Sequence, residues 1–174
     1  HYGDGAAKLR ELIDALESTY CGSIGAEYMH IVDAREQLWV QQRLESARGK
    51  PQFDVGQKQR ILERLIAAEG LEKYLHRRYP GTKRFGLEGG ESLIPMLHEL
   101  FQRLGTHGIR ESVIAMAHRG RLNVLVNVLG KNPGDLFDEF DGRVLSESGS
   151  GDVKYHQGFS SNMMTPGGEM HLAL

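Results

Sequence analysis

Ser112-Val113-Ile114-Ala115-Met116-Ala117-His118-Arg119-Gly120-Arg121-Leu122-Asn123-Val124-Leu125 is the stretch on which the fold turns. Its first part, Ser112 to Ala117, is short, apolar and bounded by polar residues, the pattern of a buried strand. From Gly120 onward Leu122, Val124, Leu125, Val126, Val128 and Leu129 are apolar nearly all round a helix. Such a helix must be covered on several sides. A further helix is predicted upstream, from about Glu91 to Leu104. Helix, strand, loop, helix in that order predicts an α/β layer whose strand lies in a sheet.

Upstream of Pro80 the chain reads as helical. Leu9, Leu12, Ile13 and Leu16 mark one helix face between Lys8 and Tyr20, and Gly22 and Gly25 break it. Asp33 is a candidate N-cap for a second helix to about Ala47, with Glu36 completing a capping-box pattern. A third helical stretch starts near Gly56; Gly70 interrupts it, and Leu71, Tyr74 and Leu75 continue its face until Pro80-Gly81. Downstream, Asp141 to Asp152 is a Ser/Gly-rich loop followed by a candidate strand around Val153 to His156. Met170 to Leu174 reads as an unfinished strand. The division is therefore a helical region over residues 1–82 and an α/β region over 83–174. The chain opens without methionine and stops inside that apolar stretch, so both ends read as cut from a longer polypeptide.

The composition fits a soluble protein, with 40% hydrophobic residues, 25% charged residues and a formal net charge of -2. That balance favours neither nucleic acid nor an anionic membrane surface. No apolar run approaches the roughly 20 residues of a membrane span, and no secretory signal opens the chain. The single cysteine, Cys21, excludes an internal disulfide and fits a reducing compartment.

Chemistry concentrates in two clusters. His118-Arg119-Gly120-Arg121 lies between the predicted strand and the predicted helix, where open α/β sheets bind ligands and a helix N-terminus favours anions. The competing reading is a solvated basic turn that caps a helix. Lys154-Tyr155-His156-Gln157-Gly158-Phe159-Ser160 places His156 at the end of the second candidate strand, and His171 lies on the last one. Histidine titrates near neutrality and serves as acid, base or carboxylate partner without heavy tuning, although a satisfied structural histidine is the commoner case. His76, His98 and His107 fall on or beside helix faces and read as surface residues. Asp135, Asp138 and Glu139 fit the first turns of a helix after Pro133 better than a metal pair. Gly3-Asp4-Gly5 and Gly151-Asp152 start like a magnesium motif but lack an asparagine at the required distance, so no complete metal site is present.

Four segments carry a resemblance. They are Tyr20 to His30 (YCGSIGAEYMH), Lys83 to Gly90 (KRFGLEGG), Met116 to Leu125 (MAHRGRLNVL) and Gly149 to His156 (GSGDVKYH). Together, and in this order, they resemble the 2-oxoglutarate dehydrogenase family, the thiamine-diphosphate-dependent decarboxylating first component of its complex, with a bacterial character in Phe159-Ser160-Ser161. The resemblance runs along the whole chain, as an internal fragment of a longer protein. It implies that residues 83–174 begin a thiamine-diphosphate-binding α/β domain. The family oxidatively decarboxylates 2-oxoglutarate in the tricarboxylic acid cycle and passes the succinyl group to the lipoyl group of the second component. Its cofactors are thiamine diphosphate and Mg2+, the magnesium ligands lying outside this chain.

By the same resemblance, His118 and His156 are the catalytic candidates. Arg119 contacts the cofactor or the substrate carboxylate, His156 hydrogen-bonds the 2-oxo acid substrate, and Phe85, Ser160 and His171 line the pocket. The resemblance also implies a homodimer, a dihydrolipoyl succinyltransferase partner, and a cytoplasmic location in bacteria or the mitochondrial matrix in eukaryotes. A 2-oxoadipate dehydrogenase of the same family and a helical interaction module without catalysis are the alternatives. Because much of the active site lies elsewhere, the isolated 174-residue chain is expected neither to bind thiamine diphosphate tightly nor to turn over. Micromolar binding of the cofactor to the isolated chain in a calorimeter contradicts this.

Overall fold

The apolar spacing upstream produces α1 (Leu9–Tyr20), and Asp33 starts α2 (Ala34–Ala47) by accepting the backbone N–H groups of Arg35 and Glu36 at 2.8 and 3.2 Å. The computed structural model describes residues 8–143 and 155–174. They divide into two compact units, His1–Val55 and Gly56–Leu174. In the first, α1 packs on α2, and the Tyr20 hydroxyl donates to Glu45 Oε1 at 3.0 Å. A cavity of about 630 Å³ there, lined by Leu16, Thr19, Trp39 and Arg43 among others, contains no candidate site residue.

The second unit begins with α3 (Val55–Arg78), a single helix of 24 residues. Gly70 does not interrupt it. Ala68, Leu71 and Leu75 on either side of the glycine are all buried, and this packing outweighs a glycine penalty of about 1 kcal/mol. Because α3 packs into this unit, the compact body starts well before the division expected after residue 82. Next come α4 (Leu93–Thr106), β1 (Glu111–Val113), α5 (Arg121–Asn127), α6 (Pro133–Phe140), β2 (Ser160–Thr165) and β3 (Gly168–Ala173). The fold is thus α/β, as expected, with six helices and a three-stranded mixed sheet among the described residues.

The strand order is β1-β3-β2, with β1 parallel and β2 antiparallel to β3. Met170 and Leu172 of β3 point inward with Ile94 and Phe101 of α4, and all four are essentially inaccessible. Gly105 makes this approach possible: a Cβ there would lie 2.1 Å from Thr165 Oγ1. Helix α5 is covered as its sequence requires, with Val124 and Leu125 fully buried. Among the described residues, no helix is long and apolar enough to cross a membrane.

Two strand expectations need correction. The strand expected over Ser112–Ala117 is only β1, on the sheet edge, with Val113 82% exposed. An edge strand has one neighbour, and on the outer face of this sheet Val113, Met164 and His171 are exposed. Of the strand expected around Val153 to His156, Val153 and Lys154 lie outside the described residues, while Tyr155 and His156 form a turn rather than a strand.

His98 is half-buried rather than a surface residue. Arg64 of α3 donates to its Nε2 at 2.9 Å, which requires the neutral ring. Burial, reinforced by the Arg64 charge, holds the His98 pKa below the ordinary histidine value. As the pH falls, the unfolded chain therefore takes up this proton first. The contribution is intact above the unfolded value of about 6.5 and is lost as pH drops through the lower folded value. His98→Gln should flatten this part of the acid sensitivity, checked by urea unfolding at about pH 7.5 and about pH 5.

Candidate functional site

The loop Lys83–Gly90 is anchored from below by a buried acid. Glu72 on α3, 4% exposed, accepts from Arg84 Nη1 at 3.1 Å and from Asn123 Nδ2 of α5 at 3.0 Å. Arg84 also donates to Glu88 Oε1 at 2.9 Å. Partial burial pushes the Glu88 carboxyl up, but its own backbone N–H and Arg84 outweigh this and hold it below the usual carboxylate range. The loop runs close against these acids. A Cβ on Gly86 would lie 2.7 Å from Glu72 Oε2, so a larger residue here has to push aside the carboxylate that Arg84 holds.

The next consequence is an unusual backbone. Phe85 adopts φ 48°, in the left-handed region, where a bulky residue is an outlier. Its carbonyl accepts the N–H of Gly120 at 2.8 Å, and Gly120 itself has φ 75° at the start of α5. This geometry lays the Phe85 ring on the His118 imidazole, with centroids 3.9 Å apart. Lys83 Nζ lies 4.7 Å from the other partner of this stack, the Phe85 ring.

His156 reaches the same place from a different direction. Because β2 is antiparallel to β3, its N-terminal end lies at the same end of the sheet as the C-terminal ends of β1 and β3. The chain just ahead of β2 therefore arrives beside the chain just beyond β1. Tyr155, 5% exposed, anchors this segment edge-on against Phe85 at 5.5 Å and Phe140 at 6.2 Å. His156 Nε2 then lies 3.5 Å from His118 Nδ1, a weak N–H···N contact in which one ring holds the proton.

Charged and polar groups surround the histidine pair. Arg119 is exposed and spends one donor on the Gly86 carbonyl at 3.1 Å. Lys131 and Glu139 pair at 3.1 Å, and both hydrogen-bond the Gln157 side chain. Exposed cations beside two imidazoles suit a small anionic ligand.

The structure thus brings together Phe85, His118, Arg119 and His156. It does not bring Ser160 or His171 into contact with them. Ser160 opens β2 opposite Ala173, on the exposed face of the sheet. His171 aligns with Glu111 at the opposite end of β1, exposed, and its Nδ1 donates to Asn162 Oδ1 at 2.7 Å. Strand alternation turns both outward, since Met170 and Leu172 take the inner face. Among the described residues no group of three or more His, Cys, Asp or Glu could hold a metal. Asp135 sits in the first turn of α6, as expected, whereas Glu139 lies in its last turn and pairs with Lys131. Gly3-Asp4-Gly5 and Gly151-Asp152 lie outside the described residues. Tyr155, Arg84 and Glu72 escaped the sequence reading; only the aromatic directly before His156 offered a signal.

No family model matches the chain. It is 64% identical over 174 residues to the 2-oxoglutarate dehydrogenase E1 component of Azotobacter vinelandii and 55% identical over 174 residues to that of Cupriavidus necator. With the protein of the same name from Haemophilus influenzae it shares 49% identity over 173 residues. These alignments cover 99–100% of this chain but 18% of each relative, so the chain spans about a fifth of the length of the curated relatives it matches.

Arg84 is the group whose loss strands a buried charge. Arg84→Met should cost about 3 kcal/mol, the low end for an unpaired buried ion, because Asn123 still donates to Glu72. Adding Glu72→Gln should recover most of that loss, measured by urea denaturation of both variants.

Proposed function

We propose that this chain, homologous along its whole length to a segment of the 2-oxoglutarate dehydrogenase E1 components, forms part of a site that binds 2-oxoglutarate for oxidative decarboxylation. The observation that carries the reading is the meeting of His118 and His156, 38 residues apart in sequence, with nitrogens at 3.5 Å beside Phe85 and Arg119. The names of the relatives favour 2-oxoglutarate over 2-oxoadipate. A helical module without catalysis leaves the histidine pair without a purpose.

In this reading the imidazoles hydrogen-bond a carboxylate or the keto oxygen of the substrate, and one of them moves a proton at the reacting centre. Phe85 fixes the His118 ring and shields one face from water. Arg119 offers a guanidinium to a carboxylate or to the diphosphate of a cofactor. Thiamine diphosphate, when bound, supplies the electron sink for loss of carbon dioxide. The exposed Arg119 beside the backbone of Gly86 fits an anionic end of that cofactor, whereas no magnesium donor set occurs among the described residues. Residues 83–174 are then the opening part of the cofactor-binding domain. The remaining ligands, a second copy of the protein and a succinyltransferase partner complete the working enzyme, in a cytoplasmic setting consistent with the bacterial relatives.

His118→Ala and His156→Ala in the full-length enzyme should each lower kcat/KM for 2-oxoglutarate by about 10²–10⁴-fold. Carbon dioxide release measured against wild type checks this; unchanged turnover in both variants removes the basis of the reading.

A further inference from the structure

Arg121 occupies an electrostatically awkward position. It is the first residue of α5, where the helix dipole disfavours a cation. No carboxylate among the described residues pairs with it. Its guanidinium instead spans two loops. Nη1 donates to the Met116 carbonyl at 2.9 Å, two residues before His118, and Nε donates to the Gln157 carbonyl at 2.9 Å, one residue after His156. Its backbone N–H donates to the His118 carbonyl at 3.1 Å. The group is part-buried, so water competes poorly for these bonds.

We propose that Arg121 is a positioning residue: its guanidinium is the strut that sets the spacing of His118 and His156. The inference rests on the function proposed for that pair. Sheet register cannot set the spacing, since neither histidine lies on a strand. A planar guanidinium holds two donors at a fixed separation and angle. A lysine ammonium keeps the charge but lacks that fork, so charge and geometry are separable by one substitution.

The test uses the full-length enzyme with Arg121→Lys, Arg121→Met, His156→Ala and the double variant R121M/H156A. Arg121→Lys is expected to lose kcat/KM on the order of 10²-fold, about as much as Arg121→Met, while unfolding at a temperature close to wild type. The double variant should be no worse than His156→Ala, because a strut acting through His156 has nothing left to hold. Wild-type turnover in Arg121→Lys, or losses that multiply in the double variant, overturn the strut alone. Unchanged turnover in His156→Ala overturns the functional reading and the strut with it. Should Arg121→Met fail to fold, the turnover of Arg121→Lys alone decides for or against the strut.

Discussion

Everything at the candidate site depends on one buried carboxylate. Glu72 sits in the C-terminal half of α3, almost wholly removed from water, and it is tolerable there only because Arg84 and Asn123 both donate to it. Those donors come from two other parts of the chain, the loop Lys83–Gly90 and helix α5. Satisfying one charge therefore joins three elements at a single point. Hydrophobic burial alone would leave the loop free to slide, since apolar contact is not directional. A charged, hydrogen-bonded group fixes position as well as proximity.

The strain at Phe85 follows from this fixation. A phenylalanine in the left-handed region costs on the order of 1–3 kcal/mol and persists only where its surroundings over-determine it. Here they do: Arg84 is held on one side, Gly86 lies close against the Glu72 carboxylate on the other, and the Phe85 carbonyl accepts from the Gly120 N–H. The reward is an aromatic ring packed, tilted, against His118.

Much of this was legible in the sequence, for reasons that differ by element. Helices α1 and α2 follow from apolar spacing and from Asp33, which are local signals. The all-round apolar character of Leu122 to Leu129 correctly required burial. Gly70 misled because local propensity is a small term beside the packing of Leu71 and Leu75. Ser112 to Ala117 misled because an apolar run does not reveal whether its strand will lie in the centre or at the edge of a sheet. His118, Arg119, His156 and Phe85, singled out as candidates in the sequence, lie close together in the fold. Ser160 and His171 were not distinguished from them, because the face a strand residue takes depends on register, which only the pairing of β2 with β3 decides. The Glu72 network was invisible: its members lie far apart in sequence, and each alone looks like an ordinary helix or loop residue.

The direction in which the chain enters β2 has a consequence for how the protein tolerates change. His118 sits in the loop between β1 and α5, where Arg121 holds the Met116 and His118 carbonyls. His156 is delivered by an aromatic plug: Tyr155 is seated between Phe85 and Phe140, and ring packing one residue upstream helps place the imidazole. Shrinking that ring would therefore loosen the histidine even with every strand intact. A single residue gained or lost between Val113 and His118 would shift its partner outright.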